Sequence, residues 1–77
     1  MIPCGDYLKH DGGVSFQISE QHSRKLFTFR GSTQEIQPSC KSGGATFTAT
    51  WEWGTPTFRL QPDGVTLIED GVHEFRL

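Results

Sequence analysis

Apolar and polar residues alternate along several separate tracts of this chain, and a period of two suits only an extended backbone. Val14, Phe16 and Ile18 alternate with Ser15, Gln17 and Ser19. Ala45, Phe47, Ala49, Trp51 and Trp53 alternate with Thr46, Thr48, Thr50 and Glu52, and Phe58 and Leu60 alternate with Thr57, Arg59 and Gln61. In a strand successive side chains point to opposite faces, so each tract has one apolar and one wet face. The stretch Lys25-Leu26-Phe27-Thr28-Phe29-Arg30 sets Phe27 and Phe29 on one face and Leu26 on the other. Shorter runs at Tyr7–His10, Val65–Ile68 and Val72–Leu77 complete the set. Between the tracts stand Asp11-Gly12-Gly13, Gly43-Gly44, Asp63-Gly64 and Asp70-Gly71, residues that accept the positive φ of tight hairpin turns. Gly54-Thr55-Pro56 separates the Trp-rich strand from the next, and Pro38 and Pro56 belong at strand ends or edges. Ser19–Lys25 is the one segment with a weak helical character, and it is short.

An antiparallel sheet with one apolar face must cover it, so the expected fold is all-β: a small sandwich or barrel of six or seven antiparallel strands. The chain of 77 residues makes a single domain over its whole length. Six Phe, two Trp and one Tyr supply the buried area that so short a chain needs. The two cysteines, Cys4 and Cys40, are an even count in a short Gly-rich chain, which favours a disulfide and an oxidising compartment. Closing that loop would contribute about 4 kcal/mol on the chain-entropy estimate. Two free buried thiols are the competing reading. Met1 ahead of Ile2-Pro3-Cys4 reads as a start placed before a processed chain.

The net charge of −2 argues against a general electrostatic grip on nucleic acid or an anionic membrane. No apolar run approaches a membrane span, and no leader segment is expected. Catalysis finds no support. His10, His22 and His73 are scattered, no metal-ligand spacing occurs, and the carboxylates Asp6, Asp11 and Glu69-Asp70 sit beside glycines where turn-forming Asp is expected. No Gly-rich phosphate loop opens a helix, so neither enzyme activity nor a cofactor is expected.

Two aromatic groups remain to be weighed. The K-x-F-x-F spacing from Lys25 to Phe29 resembles the first RNA-binding motif of cold-shock proteins, whose aromatics stack bases. Leu26 and Thr28 stand where that motif has Gly, and the second aromatic motif is missing, so Phe27 and Phe29 read as core. An OB- or cold-shock-like nucleic-acid binder is carried as an alternative, beside a small secreted inhibitor or other binding module. Trp51 shares a face with Phe47 and two alanines and reads as core. Trp53, at the strand end, falls where an exposed rim position is natural.

The stretch Cys4-Gly5-Asp6-Tyr7-Leu8-Lys9-His10-Asp11-Gly12, the strand with Val14, Phe16 and Ile18, and the pair Cys40-Lys41 together resemble the MAX effectors of plant-pathogenic fungi, which include blast-fungus avirulence proteins and ToxB-like toxins. The resemblance covers Pro3–Lys41. It implies a secreted six-stranded sandwich with one disulfide, here Cys4–Cys40, and a protein that passes into the host cell cytoplasm. It also implies action by binding host proteins: a small metal-chaperone-like domain, or an immune receptor carrying one. In that family an exposed edge strand pairs with the partner, a form of β-augmentation. The residues here that such docking would use are Ser15, Gln17, Ser19, Arg24, Lys25 and Arg30, with Trp53 as a further contact. The chain is expected to act as a monomer.

Overall fold

The computed structural model describes Leu8, residues 15–41 and residues 43–76. Among these residues eight strands run in order: β1 (Phe16–Gln21), β2 (Arg24–Phe29), β3 (Ser32–Ile36), β4 (Ser39–Lys41), β5 (Gly44–Thr48), β6 (Thr57–Leu60), β7 (Thr66–Glu69) and β8 (His73–Arg76). All pairings are antiparallel and between sequence neighbours, giving a three-stranded sheet β1-β2-β3 and a five-stranded sheet β4-β5-β6-β7-β8. The chain is therefore all-β, as the alternation predicts.

The register explains which face is buried. In the first sheet Phe16 lies opposite Phe29, and Ile18 opposite Phe27. In the second, Ala45 faces Leu60, Phe47 faces Phe58, and Leu60 faces Leu67. These side chains, with Leu8, Ile36 and Ala49, form one buried cluster against which Trp51 and Phe75 pack. The sheets meet ring to ring: Phe27 lies 4.8 Å from Phe47 and 5.0 Å from Phe58, and Phe29 lies 5.3 Å from Phe58 and 5.1 Å from Phe75. Edge-to-face and tilted ring pairs at such distances stabilise by about 0.5–1.5 kcal/mol each beyond the area they bury.

Three expectations need correction. The strand count is higher than six or seven, because Ser32–Ile36 and Ser39–Lys41 also pair into the sheets. Both are polar tracts without clear alternation, and they are strands because a neighbouring strand holds them. Gln34 faces the core side of β3, and its amide makes two bonds to the Thr50 backbone across the sandwich: Thr50 N–H donates to Oε1 at 2.7 Å, and Nε2 donates to the Thr50 carbonyl at 3.2 Å.

Ser19–Lys25 holds no helix. It is the end of β1, a turn at His22-Ser23 and the start of β2, with φ of 52° and 66° at the two turn residues. Two consecutive left-handed residues give the turn a twist that matches the flanking strands, although neither residue is glycine.

The third correction concerns Ala45–Trp53, which is not one strand. The ladder stops at Thr48 and reforms as a single bridge between Trp51 and Gly54. Pro56 has no N–H to donate, so between these points only the Ala49 N–H to Pro56 carbonyl bond, 3.2 Å, is made. Glu52 and Trp53 form the hairpin tip, so the alternation in the sequence runs past the strand into its turn.

The expected turns at Asp63-Gly64 and Asp70-Gly71 are in place. Asp63 Oδ1 accepts the Val65 and Thr66 N–H groups, and Oδ2 accepts the Thr66 hydroxyl at 2.7 Å. Asp70 Oδ1 accepts from the Thr57 N–H at 3.0 Å. Cys4, Asp6, His10, the Asp11–Gly13 turn and the tract Tyr7–His10, Leu8 apart, lie outside the described residues. Cys40 lies exposed on β4, and no free cysteine occurs among the described residues.

Candidate functional site

Seven residues stand out in the sequence as partner contacts, and the structure divides them between the two ends of the first sheet. Ser19, Arg24 and Lys25 lie toward the β1–β2 turn. Arg24 pairs with Glu35 at 3.5 Å and Lys25 with Glu20 at 3.0 Å. Surface pairs of this kind contribute about 0–1 kcal/mol, and their cations are already matched. Ser15, Gln17 and Arg30 lie toward the opposite end, with Arg30 about 17 Å from Lys25 at the rise of a strand. There they line one shallow depression of about 100 Å³ with Thr28 and Gly31.

The remaining residue, Trp53, comes to this same end from the other sheet. The hairpin tip turns its ring back onto Trp51, with centroids 5.2 Å apart and planes 5° from parallel. Trp51 is in turn seated on the core, 5.8 Å from Phe29 and 5.9 Å from Phe58. Trp53 keeps 58% of its surface in solvent. Arg30 spans the junction, its guanidinium carbon 4.8 Å from the centroid of Phe29 and 5.5 Å from that of Trp53. Cation–π contacts at exposed sites contribute about 0.5–1 kcal/mol each.

The local chain conformation is what aims Arg30. It is the first residue of the two-residue turn between β2 and β3, with φ of 51°, followed by Gly31 at 81°. This left-handed bend brings its side chain back over the ring of the preceding Phe29. The neighbouring cations on this sheet have carboxylate partners, whereas Arg30 makes no ion pair or hydrogen bond among the described residues.

Other features carry less. Phe27 and Phe29 are 0% and 2% exposed, so neither ring offers a face on which a base could stack. Among the described residues no group of three or more His, Cys, Asp or Glu side chains could hold a metal ion, and no helix is long and apolar enough to cross a membrane. His22 sits in an exposed turn and His73 is exposed at the start of β8. A second depression, of about 250 Å³, lies on the outer face of the larger sheet around Arg59, Thr46 and Thr57. Of the contacts at the aromatic end, Trp51 stacking and the placement of Arg30 over two rings were beyond sequence reasoning. They join residues far apart in the chain, and nothing in either tract signals the other.

No protein-family model, curated protein or solved structure matches the chain.

Proposed function

We propose that this chain is a secreted, disulfide-tied binding module that engages a host-cell protein through the platform made by Trp53 and Arg30. A single observation carries the reading: a tryptophan more than half exposed is stacked flat on a neighbouring ring instead of being folded away. Trp and Arg dominate protein-binding hot spots, and a side chain already fixed in place loses little entropy when a partner covers it. The docking mode shifts accordingly from the β1 edge to the sandwich end, where Ser15 and Gln17 share a depression with Arg30. The effector resemblance supplies the host and the class of partner, a small metal-chaperone-like domain. The nucleic-acid alternative loses its support with the burial of Phe27 and Phe29.

The bridge belongs to the same proposal. Cys40 is no free thiol, and Cys4 is the one other cysteine in the chain. A Cys4–Cys40 bond would anchor the segment before β1 to β4.

The test is calorimetric titration of the purified chain against purified small metal-chaperone-like domains of a host plant, together with photocrosslinking from position 53 in leaf extract. A saturable complex weakened at least tenfold by Trp53→Ala is expected, with the same protein identified by the crosslink. If no such domain binds and position 53 crosslinks nothing that a control at Glu35 does not, the reading falls.

A further inference from the structure

Arg30 is the chemically unfinished part of the platform. Its guanidinium presents two faces and an edge carrying five N–H donors. Its carbon lies over the rings of Phe29 and Trp53, while the donors have no acceptor among the described residues. Stacking on aromatic rings leaves the donor edge of an arginine free and fixes the plane in which it points. A planar fork held in this way matches the two oxygens of a carboxylate, which accept parallel bonds from it. The depression beside it is about 100 Å³, the size for a small group and not a whole sugar or base. Its wall at Gly31 is open, with nothing within 4 Å of where a side chain would begin. Ser15 and Gln17 line the same space.

Covering the core end with an aliphatic arginine stem would account for the contact with Phe29. It would not require the head group to lie against the exposed Trp53 as well, and a lysine or methionine would cover the ring as effectively.

We infer that the depression beside Arg30 receives a carboxylate from an Asp or Glu side chain of the protein partner, bound in bidentate fashion, while Trp53 packs on the apolar part of the same segment. This rests on the reading of the chain as a protein-binding module. The partner surface is therefore acidic where it meets β2–β3 and apolar where it meets the Trp51–Gly54 hairpin.

The probe is a fluorescein-labelled peptide of alternating Glu and Leu residues, compared with the same peptide carrying Gln for Glu, by fluorescence anisotropy at two salt concentrations. The acidic peptide is expected to bind at least tenfold more tightly than its Gln counterpart, and Arg30→Gln to abolish that preference. Arg30→Lys keeps the charge but not the fork, and should lose most of it. Arg59→Gln, on the outer face of the other sheet, should change nothing. Equal binding of both peptides, an Arg30→Lys protein as good as the wild type, or an equal loss in Arg59→Gln would each overturn the carboxylate assignment. An oligogalacturonate that bound in place of the peptide would reassign the site to an acidic sugar. Concentration-dependent self-association lost in Arg30→Gln would assign it to a second copy of this chain. If the peptide preference is absent while Trp53→Ala still weakens the host complex, the binding module stands and the carboxylate inference alone falls.

Discussion

Gly44 gives a sharp test of the larger sheet, because two distinct penalties meet at one position. It opens β5 opposite Lys41, with φ of +125°, a backbone conformation that residues with a side chain rarely adopt. A methyl group there would also overlap the Leu60 carbonyl oxygen on β6 and press on the Leu60 carbonyl carbon and Gln61 Cα. Backbone strain of this type costs about 1–2 kcal/mol. Forcing an extra carbon against a packed backbone costs about 1–3 kcal/mol more. Alanine also restricts the unfolded chain, which offsets about 0.4–1 kcal/mol. Gly44→Ala should therefore destabilise by about 2–4 kcal/mol. Gly31 is the matched control: its φ is +81°, yet nothing lies within 4 Å of a built methyl, so only strain applies and the net cost is about 1 kcal/mol. Unfolding entropy of about 2.1 cal/mol/K per residue makes 1 kcal/mol worth about 6 °C in a chain of this length. Thermal melts followed by far-ultraviolet circular dichroism should thus show a fall of about 6 °C for Gly31→Ala and about 12–25 °C for Gly44→Ala. Equal falls would refute the close approach of β5 to Leu60, and no fall at Gly44 would refute the register of the sheet.

Other perturbations have outcomes of known sign. Ser23→Gly relieves a left-handed serine in the β1–β2 turn and should raise the melting temperature by about 3–6 °C, with a fall refuting the turn geometry. The Asp63 carboxyl is held below its usual 3.8 by the Val65 N–H, the Thr66 hydroxyl and the Thr66 N–H. The folded state favours the carboxylate, so this contribution is complete above the unfolded value and disappears as pH falls through the lower folded one. Wild type should exceed Asp63→Asn in melting temperature at neutral pH and converge with it as the pH falls through the lowered folded value, and a gap that stays constant with pH would reject the role of ionisation. Phe27→Leu empties part of a fully buried site ringed by Phe29, Phe47 and Phe58, and should cost about 1–3 kcal/mol by urea titration. Trp53→Leu gives up only the Trp51 stack and the Arg30 contact and should cost about 1 kcal/mol in the same titration, and a loss above that at Phe27 would mean that Trp53 belongs to the core.

What the sequence made legible was the part of the fold set by local alternation. Phe16 and Ile18, Phe27 and Phe29, and Phe58 and Leu60 face inward as their spacing requires, and the Asp-Gly pairs mark two of the turns. β3 and β4 were not legible because their residues are mostly polar. Gln34 occupies a core-facing position that would suit an apolar side chain, and what satisfies it is the Thr50 backbone, a partner no local pattern reveals. The His22-Ser23 turn was missed because its left-handed backbone lacks the usual glycine. Trp53 continues the alternation of β5, yet the missing Pro56 N–H and the return of the chain at Glu52 place it in a turn. Of the site, Arg30 and Trp53 were each visible as candidates. Their meeting was not, since it depends on how two sheets stack end to end.

The strictly sequential pairing has a consequence for how the chain could be divided. Among the described residues, one sheet is built from 16–36 and the other from 39–76, and only Gln37-Pro38 connects them. Among the described residues no strand of either sheet is borrowed from the other segment, so each of the ladders they form lies on one side of that link. A cut there would sever one covalent bond and no rung. With the proposed Cys4–Cys40 bond reduced, the two pieces would be held together by the Phe27 and Phe29 rings against Phe47, Phe58 and Phe75, by the Gln34 amide on Thr50, and by Arg30 against Trp53. The last of these contacts is the one a bound partner would cover, so partner binding and reassembly of a severed chain would reinforce each other.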